Sequence, residues 1–319
     1  MKAYTSNNIR NIAVLGHGGK GKTTLCEAML YIAGASDRLG RVADGNTVLD
    51  FDSEEKRRKS SVSSAIAALE WDNTKLNIID APGLFDFEGG AAEAVRAAEA
   101  VLIVTSAGSG VDVGTEKAFR AAEKKGAAKF FAVTKTDSDH RNFYKTFDAL
   151  KEVYGNKLCP TIIPYMEGNI TKCYVNLMTG MAFSYDENGK ATKVPVPEDS
   201  VIEEMTSAFM EAVATTDDAL MEKFFEGEKF TKEEILKGLC IGIFDGSIYP
   251  VYAVSGLTCA GVDQLLYGLA WSAPGAFGYA GEKCTYENGE EGILPCDENG
   301  PLAAVCFKTI ADPFVGKMS

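Results

Sequence analysis

The stretch GHGGKGKT, residues 16–23, decides the fold of this chain. It matches the pattern GxxxxGK[ST], with an apolar run, Ile12–Leu15, before it and a helical pattern, Lys22–Tyr31, after it. A glycine-rich loop between a strand and a helix turns backbone N–H groups towards a phosphate, and the helix N-terminus adds positive potential. The loop therefore predicts a nucleotide-binding domain, with Lys22 at the β- and γ-phosphates and Thr23 on Mg²⁺. A glycine-rich turn that matches by chance is the weaker interpretation, because strand and helix lie on the correct sides.

Short apolar runs alternate with helical patterns in the first half of the chain. The strand-like runs are 12–15, 76–79, 101–105 and 130–134, and the helical stretches are 22–31, 91–100, 115–125 and 142–153. This alternation predicts an α/β domain, a mostly parallel sheet with helices on both faces. Together with the glycine-rich loop, it is the pattern of a P-loop nucleotide-binding domain.

The pattern changes between about residues 160 and 247. Strand-like pieces from 162 to 196 contain the turn Asp186-Glu187-Asn188-Gly189, and a helical pattern from 197 to 245 contains a capping box at Thr231. The strand-like run 251–254 and the helical stretch 261–271 then restore the first pattern. We therefore expect an α+β insert within a nucleotide-binding domain of residues 1–275.

Residues 276–319 predict the start of a β-barrel domain. Glycine-containing turns precede a strand-like run, Ala303–Ile310, and Asp312–Ser319 reads as another strand and turn. A segment this short cannot form an independent β core. We therefore expect this chain to be part of something longer.

Composition narrows the class of protein. The net charge of −13 argues against a general polyanion-binding surface but leaves a local RNA contact open. Eight scattered cysteines without a CxxC pair, and only two histidines, argue against a zinc site and suit a reducing compartment. No apolar run reaches transmembrane length. We expect a cytoplasmic monomer that does not contact a membrane.

Three further loops follow predicted strands. Asp80-Ala81-Pro82-Gly83 predicts a sensor in which Asp80 holds Mg²⁺ through water and the Gly83 N–H meets the γ-phosphate. Residues 134–137, TKTD, match [NT]KxD, in which the carboxylate of Asp137 accepts hydrogen bonds from guanine N1–H and N2–H₂ and so selects GTP over ATP. Ser255-Gly256-Leu257 fits a loop whose backbone N–H meets guanine O6. Only the position of this loop, after a predicted strand, supports the assignment. An open α/β sheet binds ligands at this edge.

The predicted contacts with GTP or GDP form two groups. The guanine contacts are Thr134, Lys135, Thr136, Asp137, Ser255, Gly256 and Leu257. The phosphate contacts are Gly16, His17, Gly18, Gly19, Lys20, Gly21, Lys22, Thr23, Thr24, Asp80, Ala81, Pro82, Gly83 and Leu84.

These residues resemble translation elongation factor G and its paralogues, which include the tetracycline ribosomal-protection proteins. GHGGKGKTT is similar to the family's AHxDAGKTT, NIIDAPGLFDF to NIIDTPGHVDF, and FFAVTKTD to the family's strand ending in NKMD. AFMEAVATTDDALMEKFFEG and FTKEEILKGL resemble the family's G-domain insert, and FKTIADPFVG resembles the start of its second domain. The resemblance covers nearly the whole chain. It implies a P-loop GTPase G domain with its insert, GTP and Mg²⁺ as ligands, and the ribosome as partner, contacted mainly through domains absent here.

Departures from the family concern hydrolysis. Ser61 falls on the threonine that closes over Mg²⁺, so the resemblance implies Thr23, Ser61 and Asp80 as metal-binding residues. Lys59 stands where the family has glycine, and Gly19 and Lys20 stand where it has Asp and Ala; Lys20 could add positive charge near the phosphates. Leu84 replaces the family's histidine, which helps to set the attacking water.

We therefore expect a GTP-binding translation factor with weakened GTP hydrolysis, and we assign no catalytic residue. Three alternatives stay open: a ribosome-associated factor that binds GTP without hydrolysing it, a ribosomal-protection-like paralogue, and an unrelated P-loop ATPase. Leu84 could also be a hydrophobic gate residue, with another group orienting the water.

Overall fold

The computed structural model describes residues 2–138, 142–168, 170–276, 281–297, 299–312, 314 and 316–319. Pro313 and Val315, which belong to the stretch expected to open a β-barrel domain, lie outside these residues. None of the helices in the described ranges combines the length and apolar character needed to cross a membrane.

Strands and helices alternate through most of the chain. The strands of the main sheet are β1 Ile9–Leu15, β2 Ala65–Trp71, β3 Thr74–Asp80, β4 Ala100–Ser106, β5 Ala128–Thr134, β6 Leu158–Glu167, β7 Ile170–Asn176, β8 Met181–Tyr185, β9 Ala191–Val194 and β10 Tyr249–Ala253. The helices are α1 Lys22–Ile32, α2 Ser53–Arg58, α3 Glu88–Arg96, α4 Val113–Lys125, α5 Phe143–Tyr154, α6 Ser200–Ala214, α7 Asp218–Glu226, α8 Lys232–Asp245 and α9 Val262–Ser272.

The strand order in the main sheet, over the described residues, is β2-β3-β1-β4-β5-β10-β6-β7-β8-β9. Neighbouring strands from β3 to β6 run parallel, whereas β2 is antiparallel to β3. Every residue of β4 and β5 is buried, which requires apolar cover on both faces of the sheet. Helix α1 packs against α9 and α9 against α8, while α3 packs against α4. The α/β P-loop GTPase fold predicted from the sequence is confirmed.

The insert extends the main sheet instead of forming a separate body. Strand β6 lies parallel to β10, and β7, β8 and β9 continue the sheet in antiparallel order. The turn at 186–189 joins β8 to β9 as its sequence predicts, and Thr231 begins α8 with a complete capping box. The division into domains at residues 275 and 276 stays a prediction.

Two predicted elements differ from the structure. The helical stretch expected at 91–100 is α3, Glu88–Arg96, and Ala100 already begins β4. Alanines favour a helix locally, but Ala100 is completely buried in the central sheet, so tertiary contacts outweigh the propensity. The strand expected at Ala303–Ile310 is wrong over most of its length: β13 covers Ile310–Asp312 and pairs with β14, Gly316–Met318. Residues 301–306 are exposed, and an apolar run without a partner strand forms no ladder.

Two elements have local signals that sequence reasoning overlooked. Strand β2 turns into β3 through Asp72 and Asn73, both at positive φ (44° and 59°), as in a tight hairpin. Helix α2 begins at an Asp52 capping box. It ends at Lys59, whose φ of 54° is the left-handed conformation that glycine adopts without strain. The glycine of the resembling family suits this backbone better than lysine. A further short hairpin pairs β11, Glu282–Thr285, with β12, Glu291–Leu294.

Candidate nucleotide-binding site

The predicted loops lie together at the carboxyl edge of the parallel strands. The Thr134 hydroxyl donates to the Lys20 carbonyl at 2.6 Å, and Lys135 Nζ donates to the Gly19 carbonyl at 2.7 Å. The structure thereby connects the TKTD loop after β5 to the glycine-rich loop after β1. The threonine that replaces the usual asparagine keeps a hydrogen bond here through its hydroxyl.

The last predicted guanine loop lies against the first turn of α1. A methyl group built on Gly256 would lie 3.0 Å from the backbone of Thr24 and from the N atom of Leu25. Ser255 is fully buried, and its hydroxyl accepts a hydrogen bond from the Thr258 N–H at 3.1 Å. The side chains of Leu257 and Asp137, the other predicted guanine contacts in these two loops, are exposed.

Lys22 folds back onto its own loop. Its Nζ donates to the carbonyls of Gly16 and His17 at 3.0 and 3.1 Å, and burial lowers the pKa of its ammonium group. A methyl group on Gly83 would lie 2.1 Å from Lys22 Nζ, so the backbone of Gly83 passes directly beside the lysine. Ala81 and Pro82 are buried before it. The structure therefore brings the predicted γ-phosphate sensor to the lysine of the phosphate loop.

The three predicted metal-binding residues are in contact. Thr23 Oγ1 donates to Asp80 Oδ2 at 2.6 Å and lies 3.0 Å from Ser61 Oγ. Asp80 is buried, and burial raises the pKa of its carboxyl group to about 7, although Lys22 and the Thr23 hydroxyl oppose the shift. A carboxyl group of this kind binds a cation in place of its proton.

Asp50 belongs to the same cluster and was missed from the sequence. Its Oδ1 accepts from the Ser61 hydroxyl at 2.7 Å, and burial raises the pKa of its carboxyl group. Within the described residues, Asp50 Oδ2 and Asp80 Oδ1 are buried without a hydrogen-bond partner. Two hydroxyls and two such carboxylates form an all-oxygen environment that fits Mg²⁺. No spacing rule links Asp50 to Asp80, so only the folded chain reveals the cluster.

Two buried carboxylates hold the segment that carries Asp50 and Ser61. Glu27 Oε1 accepts from the N–H groups of residues 48 and 49, at 2.8 and 3.0 Å. Glu55 Oε1 accepts from those of residues 62 and 63, at 3.0 and 3.1 Å. The Ser61 hydroxyl, which lies beside Thr23, and the Asp50 carboxylate that accepts from it are therefore anchored on both sides.

Leu84 lies beside the phosphate loop and is 40% exposed. A methyl group on Gly18 would lie 3.0 Å from Leu84 Cδ2, so the side chain contacts the loop with apolar atoms only. Phe85 packs its ring edge-on against His17, with ring centroids 5.5 Å apart. The side chain at the family's histidine position thus has no atom that could orient water.

Lys20, which was expected to add positive charge near the phosphates, forms an ion pair with a carboxylate. Its Nζ lies 3.1 Å from Asp112 Oδ2, at the N-terminus of α4. Burial acts to raise the pKa of Asp112, but bonds from the Thr115 N–H and from Lys20 outweigh it and the pKa is lowered. The Asp112 carboxylate therefore balances much of the Lys20 charge, which reduces the charge available to the phosphates.

Comparisons with known proteins agree with this geometry. The family described as the elongation factor Tu GTP binding domain matches residues 7–274. Two proteins named "Elongation factor G-like protein", from Mycobacterium tuberculosis strains CDC 1551 / Oshkosh and ATCC 25618 / H37Rv, are each 32% identical over 315 residues. A crystal structure of a Thermus thermophilus protein is also 32% identical and superposes with a TM-score of 0.83 over 98% of this chain. The chain spans 43% of the length of the curated relatives and 44% of that structure.

Proposed function

The chain belongs to the elongation factor Tu GTP-binding domain family, and from this premise we propose that it is a GTP-binding translation factor that resembles elongation factor G and acts on the ribosome. The observation that carries the proposal is the bond pair from Thr134 and Lys135 to the phosphate loop. These bonds hold Asp137 at a set distance from Lys22. A nucleotide could then bind through its base and its phosphates at once.

The residues around Thr23 fit magnesium as the cofactor. Thr23 and Ser61 would offer hydroxyl oxygens, and Asp80 and Asp50 would hold the ion directly or through water. When bound with GTP, Mg²⁺ would neutralise charge on the β- and γ-phosphates. The protein itself would hold these oxygen atoms close together in a buried site.

Nucleotide competition tests the guanine assignment. We expect GTP and GDP to displace a fluorescent GDP analogue from the protein, and ATP to fail at a hundredfold higher concentration. Asp137→Asn should move the preference from GTP to xanthosine triphosphate, because the amide donates where the carboxylate accepted. Equal displacement by ATP in the wild-type protein would support the P-loop ATPase alternative and contradict the proposal.

We further propose that GTP hydrolysis is weak, because Leu84 contributes neither water positioning nor charge. Phosphate release in a single turnover, with and without ribosomes, measures this property. Slow but ribosome-stimulated release supports a weakened GTPase. Retention of intact GTP on ribosomes favours the alternatives, a factor that binds without hydrolysis or a ribosomal-protection-like paralogue. Co-sedimentation with ribosomes in the presence of a non-hydrolysable GTP analogue tests the partner separately.

A further inference from the structure

We propose that the insert is part of the guanine-recognition site, because its strand β7 positions the loop that carries Asp137. The inference rests on the proposed function, since it assumes that Asp137 reads guanine. It assigns a role to Thr171 and Tyr174, which no sequence motif includes. These two are positioning residues, acting on the base through the loop.

Both side chains bond to the residue before Asp137. Thr171 Oγ1 donates to the Thr136 carbonyl at 2.8 Å, and the Tyr174 hydroxyl lies 2.7 Å from Thr136 Oγ1. The Thr136 hydroxyl donates its own proton to the Val254 carbonyl at 3.0 Å. The Tyr174 hydroxyl must therefore be the donor to Thr136. Strand β7 thus forms hydrogen bonds with both the main chain and the side chain of Thr136.

The bond between Tyr174 and Thr136 is buried, and the bond from Thr171 is partly buried. Tyr174 is 4% exposed and Thr136 is 3% exposed, and burial raises the pKa of the Tyr174 phenol so that its proton is retained. Hydrogen bonds out of water are stronger and more directional than exposed ones. The direction in which the chain leaves Thr136, and hence the place of the Asp137 carboxylate, depends on them.

The insert also contacts the second guanine loop. Gly189, in the turn between β8 and β9, has a φ of 75° and packs against the loop after Ser255. A methyl group on Gly189 would lie 2.4 Å from Cys259 Cβ and 3.4 Å from the Thr258 carbonyl oxygen. The turn can therefore approach Cys259 only as glycine. The insert therefore contacts both of the loops that would bind the base.

A cavity of about 330 Å³ opens beside Asp137, and residues of both the insert and the last guanine loop line it. The insert contributes Thr171, Tyr174 and Tyr185, while the last loop contributes Thr258 and Ala260. The Tyr185 hydroxyl donates to Asp263 Oδ1 at 2.6 Å, which fixes this wall to α9. The surroundings of the base-reading carboxylate are incomplete without the insert.

The experiment compares GTP with inosine triphosphate, which lacks the 2-amino group. A well-placed Asp137 gains a second hydrogen bond from GTP, so the affinity ratio of GTP to inosine triphosphate reports the position of its carboxylate. Tyr174→Phe and Thr171→Val should each lower this ratio roughly five- to tenfold, the value of about one hydrogen bond. Thr171→Ser, which restores the hydroxyl, should recover the wild-type ratio.

Tyr144→Phe is the matched control. Tyr144 also donates a largely buried hydroxyl, at 2.6 Å, but to the Pro164 carbonyl in β6 instead of to a guanine loop. Its loss should lower thermal stability as much as Tyr174→Phe does and leave the ratio unchanged. A general loss of structure would lower the affinities for both nucleotides equally, which distinguishes it from mispositioning.

The outcomes separate the inference from the proposed function. If Tyr174→Phe and Thr171→Val keep the ratio within twofold of the wild type while Asp137→Asn removes the guanine preference, the insert does not position the loop and the inference is overturned. If Asp137→Asn also leaves the guanine preference intact, the proposed function itself fails. A lowered ratio in both β7 variants, with recovery in Thr171→Ser, supports the inference.

Discussion

Leu84 shows how one side chain bears on function without changing the fold. Its neighbours Asp80 and Gly83 keep the contacts with Thr23 and Lys22 that a sensor of nucleotide state needs. Leu84 itself presents methyl groups to the phosphate loop. Under the proposed function, recognition and hydrolysis are therefore separable in this loop, since different residues would carry them.

Leu84→His should raise ribosome-stimulated GTP hydrolysis, because an imidazole supplies the hydrogen bonds that orient water. We expect an increase of about tenfold or more in single-turnover phosphate release, within the usual range for a positioned polar group. Leu84→Phe is the control, since it adds a ring without a hydrogen-bonding atom. An unchanged rate in Leu84→His would mean that another group orients the water and that Leu84 is a hydrophobic gate.

Glu27 gives the stability of the protein a pH dependence. The residue is fully buried, and burial raises the pKa of its carboxyl group despite bonds from the N–H groups of Leu49 and Val48. Because the folded pKa exceeds the unfolded one, the stabilising contribution is complete below the unfolded value, near 4.5, and is lost as pH rises through the folded value. Glu27→Gln removes this loss. The variant should therefore gain stability relative to the wild type as the pH rises above about 4.5.

Urea unfolding across this pH range measures the effect. Glu27→Ala is the contrasting variant: it also removes the titrating carboxyl group but leaves the N–H groups of residues 48 and 49 without their acceptor, so it should be less stable than Glu27→Gln by about 2–4 kcal/mol at every pH. A difference between Glu27→Gln and the wild type that does not change with pH would contradict the assignment.

Helix α4 connects the phosphate loop to the segment after Gly83. At its N-terminus, Asp112 caps the helix through the Thr115 N–H and pairs with Lys20. One turn further, Lys117 lies 4.3 Å from the centre of the Phe85 ring and forms an ion pair with Glu88. A shift of either of these loops, both predicted to contact the nucleotide, therefore has to be accommodated at this helix.

A double-mutant cycle tests the Lys20–Asp112 pair. Asp112→Asn keeps an efficient helix cap and removes only the charge, so the single substitution should cost about 1 kcal/mol of unfolding free energy. With Lys20→Met, the coupling between the two positions should be roughly 1 kcal/mol, because the pair is mostly buried (17% and 20% exposed side chains). A coupling free energy near zero in chemical unfolding would show that the pair is incidental.

At the scale of the whole molecule, the C-terminal segment contacts the chain three residues after Ser61, close to the candidate site. Lys308 Nζ donates to the carbonyl of Ser64, and it also lies 3.2 Å from the Ser64 hydroxyl. That hydroxyl donates to Glu93 of α3 at 2.7 Å. Ser64 lies three residues after Ser61, which contacts Thr23, and Glu93 belongs to the helix that follows Gly83, which lies beside Lys22. The contact therefore links the C-terminal segment to both of these segments.

Lys308→Met should weaken the coupling between this segment and the bound nucleotide. We expect GTP to dissociate several-fold faster while GDP dissociation changes little, since Ser61 would bind the metal only in the GTP state. Stopped-flow release of fluorescent analogues measures both rates. Lys317→Met, at an exposed position of β14, is the control. Equal acceleration of both nucleotides would indicate a general loosening and contradict the coupling.

The sequence by itself determined the features that depend on neighbours along the chain. The glycine-rich loop with its strand and helix, the TKTD loop, the turn at 186–189 and the Thr231 capping box are each complete within a few residues, so local patterns predicted them. The parallel sheet followed from the alternation of such units. Where local preference was the only guide, the prediction was wrong at the end of the helix expected over 91–100 and over most of Ala303–Ile310, because strand formation depends on the partner strand.

Only the tertiary structure decided which distant residues meet. Thr23 with Ser61, and Thr136 with Tyr174, are pairs separated by 38 residues. Asp50 joins the first pair, and β6 to β9 extend the central sheet towards the second. Such contacts form when buried polar groups must find partners across the fold, and no spacing in a single sequence records the partner. The motifs therefore located the candidate nucleotide loops, whereas the folded chain alone showed which residues hold those loops in place.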